Sequence, residues 1–220
     1  MTATAMLSDI SALTKKRVSL EELVLQLGPL EFQQPVTKLA FTSLSERYPD
    51  LLMEREADGK IAVMPPLKRG DGRRASWLLG MLSVWQMQHD LGEMFGPSTG
   101  FDLPDGTTKS PDAAWISDKT SAQAGLVDEE DFVKTVPDFI AEVRSSTDRL
   151  PKVQEKMTDI WMANGVCLGW LIDPYEERAY IYRAGQAEPE IVSGFTGKTL
   201  SGEDVMPGFE LPLDSMKRRI

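Results

Sequence analysis

Histidine and cysteine are almost missing from this chain: its 220 residues include one of each. With His89 alone, a histidine-based catalytic triad or a multi-histidine zinc site is nearly excluded. The lone Cys167 excludes an internal disulfide and has no histidine near it in sequence, which argues against a cysteine protease. Between Val166 and Leu168 it reads as a core residue. Phosphate-cradling loops of the GxxxxGK[ST] type and GxGxxG turns are absent. No apolar run approaches the ~20 residues that span a bilayer. The first residues, Met1 to Asp9, lack a positive segment followed by an apolar core, so no secretion signal is expected and the expected location is cytoplasmic. Basic charge is also short: 24 Lys and Arg against 34 Asp and Glu leave a net charge of −10, without a broadly basic nucleic-acid surface. The catalytic options that survive are built from carboxylates, lysine and arginine.

What is present describes an ordinary globular protein, 41% hydrophobic and 26% charged. The length suits one domain, or one domain with an N-terminal extension. One local positive group, Lys68, Arg69, Arg73 and Arg74, could meet nucleic acid; it could equally be a solvated loop and helix start.

Residues 1–17 show no clear periodicity. Ser19 followed by Leu20, Leu23, Val24 and Leu27 predicts a short capped helix ending at Gly28-Pro29. Thr37 to Arg47 reads as a second helix, with Leu39, Ala40, Ser43 and Leu44 on one side. Two strand-like runs, 51–56 and 60–64, flank Asp58-Gly59 and predict a hairpin. From Arg73 to His89, Trp77, Leu78, Met81, Leu82, Val84, Trp85 and Met87 recur at helical spacing, and Gly92 is the expected stop. Pro104-Asp105-Gly106 marks another turn, and 117–136 reads as a polar loop with one short helix. Pro151 suits the first turn of a helix that ends at Gly165, with Val153, Met157, Ile160 and Trp161 as its buried stripe. Residues 168–172 read as a buried strand and 179–182 as its hairpin partner. This order predicts an α/β or α+β fold, a mixed β-sheet flanked by helices.

Two segments carry the chemistry. Ser110-Pro111-Asp112-Ala113-Ala114-Trp115-Ile116 opens a strand with an acid; Phe139-Ile140-Ala141-Glu142-Val143-Arg144 interrupts an apolar strand with another. A buried acid costs several kcal/mol unless it is paired or bound to a cation. Asp112 and Glu142 on neighbouring strands could hold a divalent metal between them. Arg144 shares the strand parity of Glu142, and Lys156 lies on the following helix, beside Met157. Two acids plus Lys156 or Arg144 form a minimal kit for metal-assisted phosphodiester hydrolysis. The same residues also allow a plainer reading: a structural Glu142–Arg144 ion pair, with Lys156 in solvent. Asp138 and Asp173 read as turn-formers beside prolines. Glu54 and Glu56 read as solvent-facing, although one of them could be a third ligand. Trp77, Trp85, Trp161 and Trp170 occupy apparent core positions.

These segments resemble the Uma2 family of restriction-endonuclease-like proteins. The likeness runs from about residue 35 to 215. It includes Glu54 to Gly59 leading to Met64-Pro65-Pro66, Ser98 to Pro104, Ser110 to Trp115, Pro137 to Ser145, Gln154 with Lys156-Met157, Asn164-Gly165 leading to 168–174, and Ser201-Gly202-Glu203 with Pro207-Gly208-Phe209. The resemblance implies a PD-(D/E)XK nuclease fold over 35–215, after an extension at 1–34 and before a basic tail at 216–220. It implies Asp112 and Glu142 as catalytic acids and ligands of Mg²⁺ or Mn²⁺. It also implies that the motif lysine has moved to Lys156, leaving Arg144 at its usual place as a charge stabiliser. The Lys156-to-Gly165 spacing is one residue longer than the family's pattern, which would turn Lys156 by about 100° on an α-helix and leave Lys152 as its rival. The partners expected are DNA, through the local basic patch, and a second copy in a dimer; no membrane is expected. The alternative function is a catalytically inactive nuclease-fold scaffold.

Overall fold

The computed structural model describes residues 30–32, 34–126 and 130–219. The short helix predicted at 19–27 lies outside them. Residues 1–66 and 67–220 form two compact units.

In the first unit, β1 (Leu30–Phe32) pairs antiparallel with β3 (Ile61–Met64), which pairs antiparallel with β2 (Leu52–Arg55). The predicted Asp58-Gly59 turn joins β2 to β3, and Gly59 takes φ +87°, a left-handed value that glycine adopts without strain. Helix α1 (Lys38–Arg47) is capped by Thr37, whose Oγ1 accepts the Ala40 N–H at 3.2 Å. Its buried residue is Phe41, and Leu39 on the predicted apolar side is exposed. Glu54, expected in solvent, is buried, whereas Glu56 is half-buried.

The second unit is built on a six-stranded mixed sheet. After helix α2 (Arg69–His89), the strands are β4 (Gly92–Phe95), a separate hairpin of β5 (Phe101–Asp102) and β6 (Thr108–Lys109), then β7 (Ala113–Ser117). Helix α3 (Asp118–Ala124) leads to β8 (Phe139–Val143). Helix α4 (Leu150–Glu155) continues into a π-helical stretch (Lys156–Met162) and is followed by β9 (Leu168–Asp173), β10 (Arg178–Arg183) and β11 (Glu190–Ser193). A small hairpin of β12 (Thr199–Ser201) and β13 (Glu210–Pro212) precedes a 3₁₀ turn (Leu213–Met216). The sheet order is β11-β10-β9-β8-β7-β4. In this sheet β8 and β9 run parallel, joined by the crossover through α4 and the π-helical stretch, and the other neighbours are antiparallel.

Strand alternation divides the core. Phe139 and Ala141 of β8, with Trp170 and Ile172 of β9, pack on Leu78, Leu82 and Trp85 of α2. Ile140 and Leu171 face the other way, onto Met157 and Trp161 of the π stretch. Glu142 has the parity of Ile140, so it emerges on the π-helix side. Gly169 of β9 permits this close packing: a Cβ there would lie 2.8 Å from the Met157 Cε.

Several sequence readings give way here. Trp77 is 48% exposed, because α2 turns Leu78, Leu82 and Trp85 inward and leaves Trp77 about 100° around the helix, at the edge of the covered face. Cys167 is exposed, just ahead of β9, where its N–H bonds the Asp138 carbonyl at 3.1 Å. The α2 helix ends at His89 with Asp90 in the left-handed conformation (φ 49°); Gly92 already belongs to β4. Arg73 and Arg74 are not a solvated patch. Arg74 is buried on Asp71 at 2.5 Å, and Arg73 donates to the Ser215 and Lys217 carbonyls at 2.9 and 2.6 Å. His89 stacks on Trp85 and its Nδ1 lies 2.9 Å from the Trp85 carbonyl oxygen.

Candidate active site at the end of the central strand

β8 ends at Val143, in the middle of the sheet. The backbone N–H of Val143 donates to Asp112 Oδ2 at 2.7 Å, so Asp112, just before β7, lies against the residue that follows Glu142. The antiparallel register Ala113↔Ala141 makes this meeting unavoidable. Glu142 is 8% exposed, and its Oε1 accepts the indole N–H of Trp161 at 2.9 Å. Lys156 Nζ lies 2.9 Å from the same oxygen and donates to the Ser110 carbonyl at 3.4 Å. It also lies 5.8 Å from the centre of the Trp161 ring. Asp112, Glu142 and Lys156 are therefore brought together at the end of β8.

The π-helical stretch settles which lysine arrives there. A π turn closes i→i+5 bonds and so takes in one more residue than an α turn. The bond from Ala163 N–H to the Thr158 carbonyl at 3.0 Å is of this kind. The stretch takes in one residue more between Lys156 and Gly165 than α-helical turns would, and Gly165 ends the helix at φ +107°. Lys156 thus faces Glu142, whereas Lys152 is exposed and pairs with Glu155 at 2.7 Å.

Arg144 goes elsewhere. The ion pair with Glu142 that the plainer reading allows does not form, and Arg144 Nη1 instead binds Asp173 Oδ2 at 2.7 Å. Its Nε donates to the Asp148 carbonyl at 3.3 Å and its guanidinium lies 5.5 Å from the Tyr175 ring centre. Asp173 is a turn-former as expected, accepting the Tyr175 N–H at 2.8 Å, but its fully buried carboxylate also needs this cation. The parallel register Val143↔Ile172, not visible in either segment alone, brings Arg144 and Asp173 side by side. Arg144→Ala is expected to strand a buried charge and destabilise the fold by about 3–5 kcal/mol, read by denaturant melts. A stability loss below about 1 kcal/mol would show that the pair is not structural. Asp138 accepts the Ser117 N–H at 2.7 Å and the Thr120 hydroxyl at 2.9 Å, a role at the start of α3.

The electrostatics of the site are unbalanced. Burial, then the neighbouring Glu142 charge, pushes the Asp112 carboxyl up from 3.8 to about 7. The Val143 N–H and Lys156 oppose the rise, while Asp148 adds to it. Two acids held close in a poorly solvated place repel one another, and a divalent cation would relieve that repulsion. No cluster of three or more His, Cys, Asp or Glu side chains suited to a metal occurs among the described residues. Mg²⁺ does not require one, because it is commonly held by one or two carboxylates with water and substrate phosphate. The donor set fits such an ion.

The second unit is thus a mixed sheet with helices packed on both faces and with Asp112 and Glu142 at the end of a central strand. A crystal structure titled as a putative nuclease belonging to DUF820, from Anabaena variabilis, has this fold: TM-score 0.67, 20% identity, 83% of this chain and 97% of that chain covered. The profile of the family described as "Uma2: Putative restriction endonuclease" matches residues 37–214, and the chain belongs to that family. Among curated proteins, none matches significantly. No helix among the described residues is long and apolar enough to cross a membrane.

Proposed function

We propose that this protein is a metal-dependent endonuclease that hydrolyses DNA phosphodiester bonds, with Asp112 and Glu142 holding Mg²⁺ or Mn²⁺. One observation carries the reading: Asp112 sits on the backbone beside Glu142, and Lys156 is fixed on Glu142. A divalent ion bound there would lower the pKa of a coordinated water and offset charge on the scissile phosphate. The Val143 N–H orients Asp112 and the Trp161 indole orients Glu142, the outer support that metal-ligating carboxylates need. Lys156 supplies a fixed positive charge where the transition state gains negative charge. Arg144 acts at one remove, by fixing the end of β8 through Asp173. The reading includes the homodimer expected from the sequence, which light scattering tests.

A second reading rests on a specific contact. The Lys156–Glu142 pair already neutralises one acid, so the site could be a closed structural centre in an inactive scaffold. The two readings part in a cleavage assay on duplex DNA with Mg²⁺ or Mn²⁺ against chelator, run beside Asp112→Ala. Metal-dependent cleavage that disappears in Asp112→Ala supports the enzyme; no cleavage in any metal supports the scaffold. Glu142→Gln keeps the side chain's shape and removes one ligand charge. It is expected to lower cleavage at least about 100-fold and to weaken Mn²⁺ binding in calorimetry. Cleavage at the original rate would remove Glu142 from the mechanism.

A further inference from the structure

Basic side chains are the minority in this chain, 24 against 34 acids, yet several from distant segments converge beside the candidate site. Tyr175 is the meeting point. Its ring centre lies 5.5 Å from the Arg144 guanidinium, 5.8 Å from that of Arg74 and 5.1 Å from that of Arg218. The first two are neutralised, Arg144 by Asp173 and Arg74 by Asp71, which also accepts the Tyr175 hydroxyl at 3.1 Å. No acid among the described residues pairs with Arg218. Arg73 holds the Ser215 and Lys217 carbonyls, which sets 218–219 beside the first turn of α2. Burial and then the nearby charges of Arg219, Arg74 and Arg69 make the Arg73 guanidinium easier to deprotonate than usual, in keeping with a crowd of like charges. Lys68, Arg69, Arg218 and Arg219 are all exposed, and none forms an ion pair with an acid among the described residues. Four exposed cations gathered in one place, with no acid of the described residues on them, leave donors suited to phosphate.

The placement says which polyanion. Arg144, two residues beyond Glu142, shares the Tyr175 ring with Arg218, so these charges continue directly from the end of β8. A phosphodiester held at Asp112 and Glu142 would carry its neighbouring phosphates across this surface. We propose that Lys68, Arg69, Arg218 and Arg219 form a docking surface for the phosphate backbone of duplex DNA flanking the cleavage site. The proposal rests on the nuclease reading above and deepens it. The chain as a whole carries net −10 with these four cations included, so the surface away from them repels DNA and this patch also orients the encounter.

The test is binding of a labelled duplex oligonucleotide in chelator, followed by fluorescence anisotropy across a salt series, so that no cleavage is needed. Removing one phosphate-binding cation lowers the slope of log affinity against log salt by about one. R69Q/R218Q is expected to weaken binding about tenfold and to lower the slope by about two. K68Q/R219Q should behave alike, and K119Q, at the other end of β7, should change neither quantity. Double variants that bind as the original protein does, or an original protein that does not bind, overturn the docking surface. The cleavage assay reports separately. Metal-dependent cleavage with unaffected binding in the double variants sinks the surface and keeps the chemistry; the expected salt slopes without any cleavage keep the surface and sink the chemistry.

Discussion

Asp112→Asn is expected to raise stability by roughly 1–2 kcal/mol at about pH 5 and by roughly 3–4 kcal/mol at about pH 8. The folded protein lifts the Asp112 carboxyl from 3.8 to about 7 through burial and the Glu142 charge. Between those values the native state keeps a proton that the unfolded chain has released. Stability therefore falls as pH rises through this window, and the loss is complete above about 7. Asparagine keeps the oxygen that accepts the Val143 N–H and removes the charge that causes the penalty. On the nuclease reading the substitution also abolishes cleavage, because it removes a proposed metal ligand. In the original protein Mg²⁺ should restore stability, by about 2.7 kcal/mol at a hundredfold excess over its dissociation constant, and in Asp112→Asn it should not. Denaturant melts at the two pH values, with and without Mg²⁺, check this. A stability difference that is the same at both would show that Asp112 is not strained by charge.

Lys156→Ala is expected to cut turnover by about 10²–10³-fold, with a smaller effect on substrate binding, because a fixed cation matters most where negative charge develops. Its ammonium is held at three points: Glu142 Oε1 at 2.9 Å, the Ser110 carbonyl at 3.4 Å and the Trp161 ring at 5.8 Å. Lys152→Ala should change turnover less than about threefold, because Lys152 is exposed and its ion pair with Glu155 lies at the surface. Loss of Lys156 also leaves the buried Glu142 without this cation, so the variant is to be compared in saturating Mg²⁺ with its melt recorded. The opposite ranking of the two lysines would give Lys152 the role and show the helix phased the other way.

The two assignments differ in how far they can be read from the chain. The convergence of Asp112 and Glu142 is legible because one opens an apolar strand and the other interrupts one, and an acid in such a place demands a partner. Lys156 has a rival in the sequence, since its facing depends on whether the helix takes in an additional residue. The π stretch does so under the packing of Met157 and Trp161 on the sheet, which local propensity does not encode. Arg144 has the right parity and a different partner. Its neighbour is decided by the β8–β9 register, which sets it beside Asp173, 29 residues away along the chain. The basic group at 68–74 is visible as a cluster, but half of it is internal. The residues that extend the remainder, Arg218 and Arg219, come from the far end of the described chain.

By itself the sequence determined what short-range chemistry dictates. The Asp58-Gly59 hairpin, the helix at about 37–47, the stop at Gly165 and the helix between two buried strands each follow from a few adjacent residues and their backbone preferences. Near-absence of histidine and cysteine narrowed the chemistry to carboxylates with a cation. Tertiary structure alone decided which cation meets which acid, which face of α2 is covered and which basic side chains stay clear of acids. Those choices depend on strand register and helix packing between segments far apart in the chain. A one-residue difference in either turns a side chain to the opposite face of a strand or about 100° around a helix.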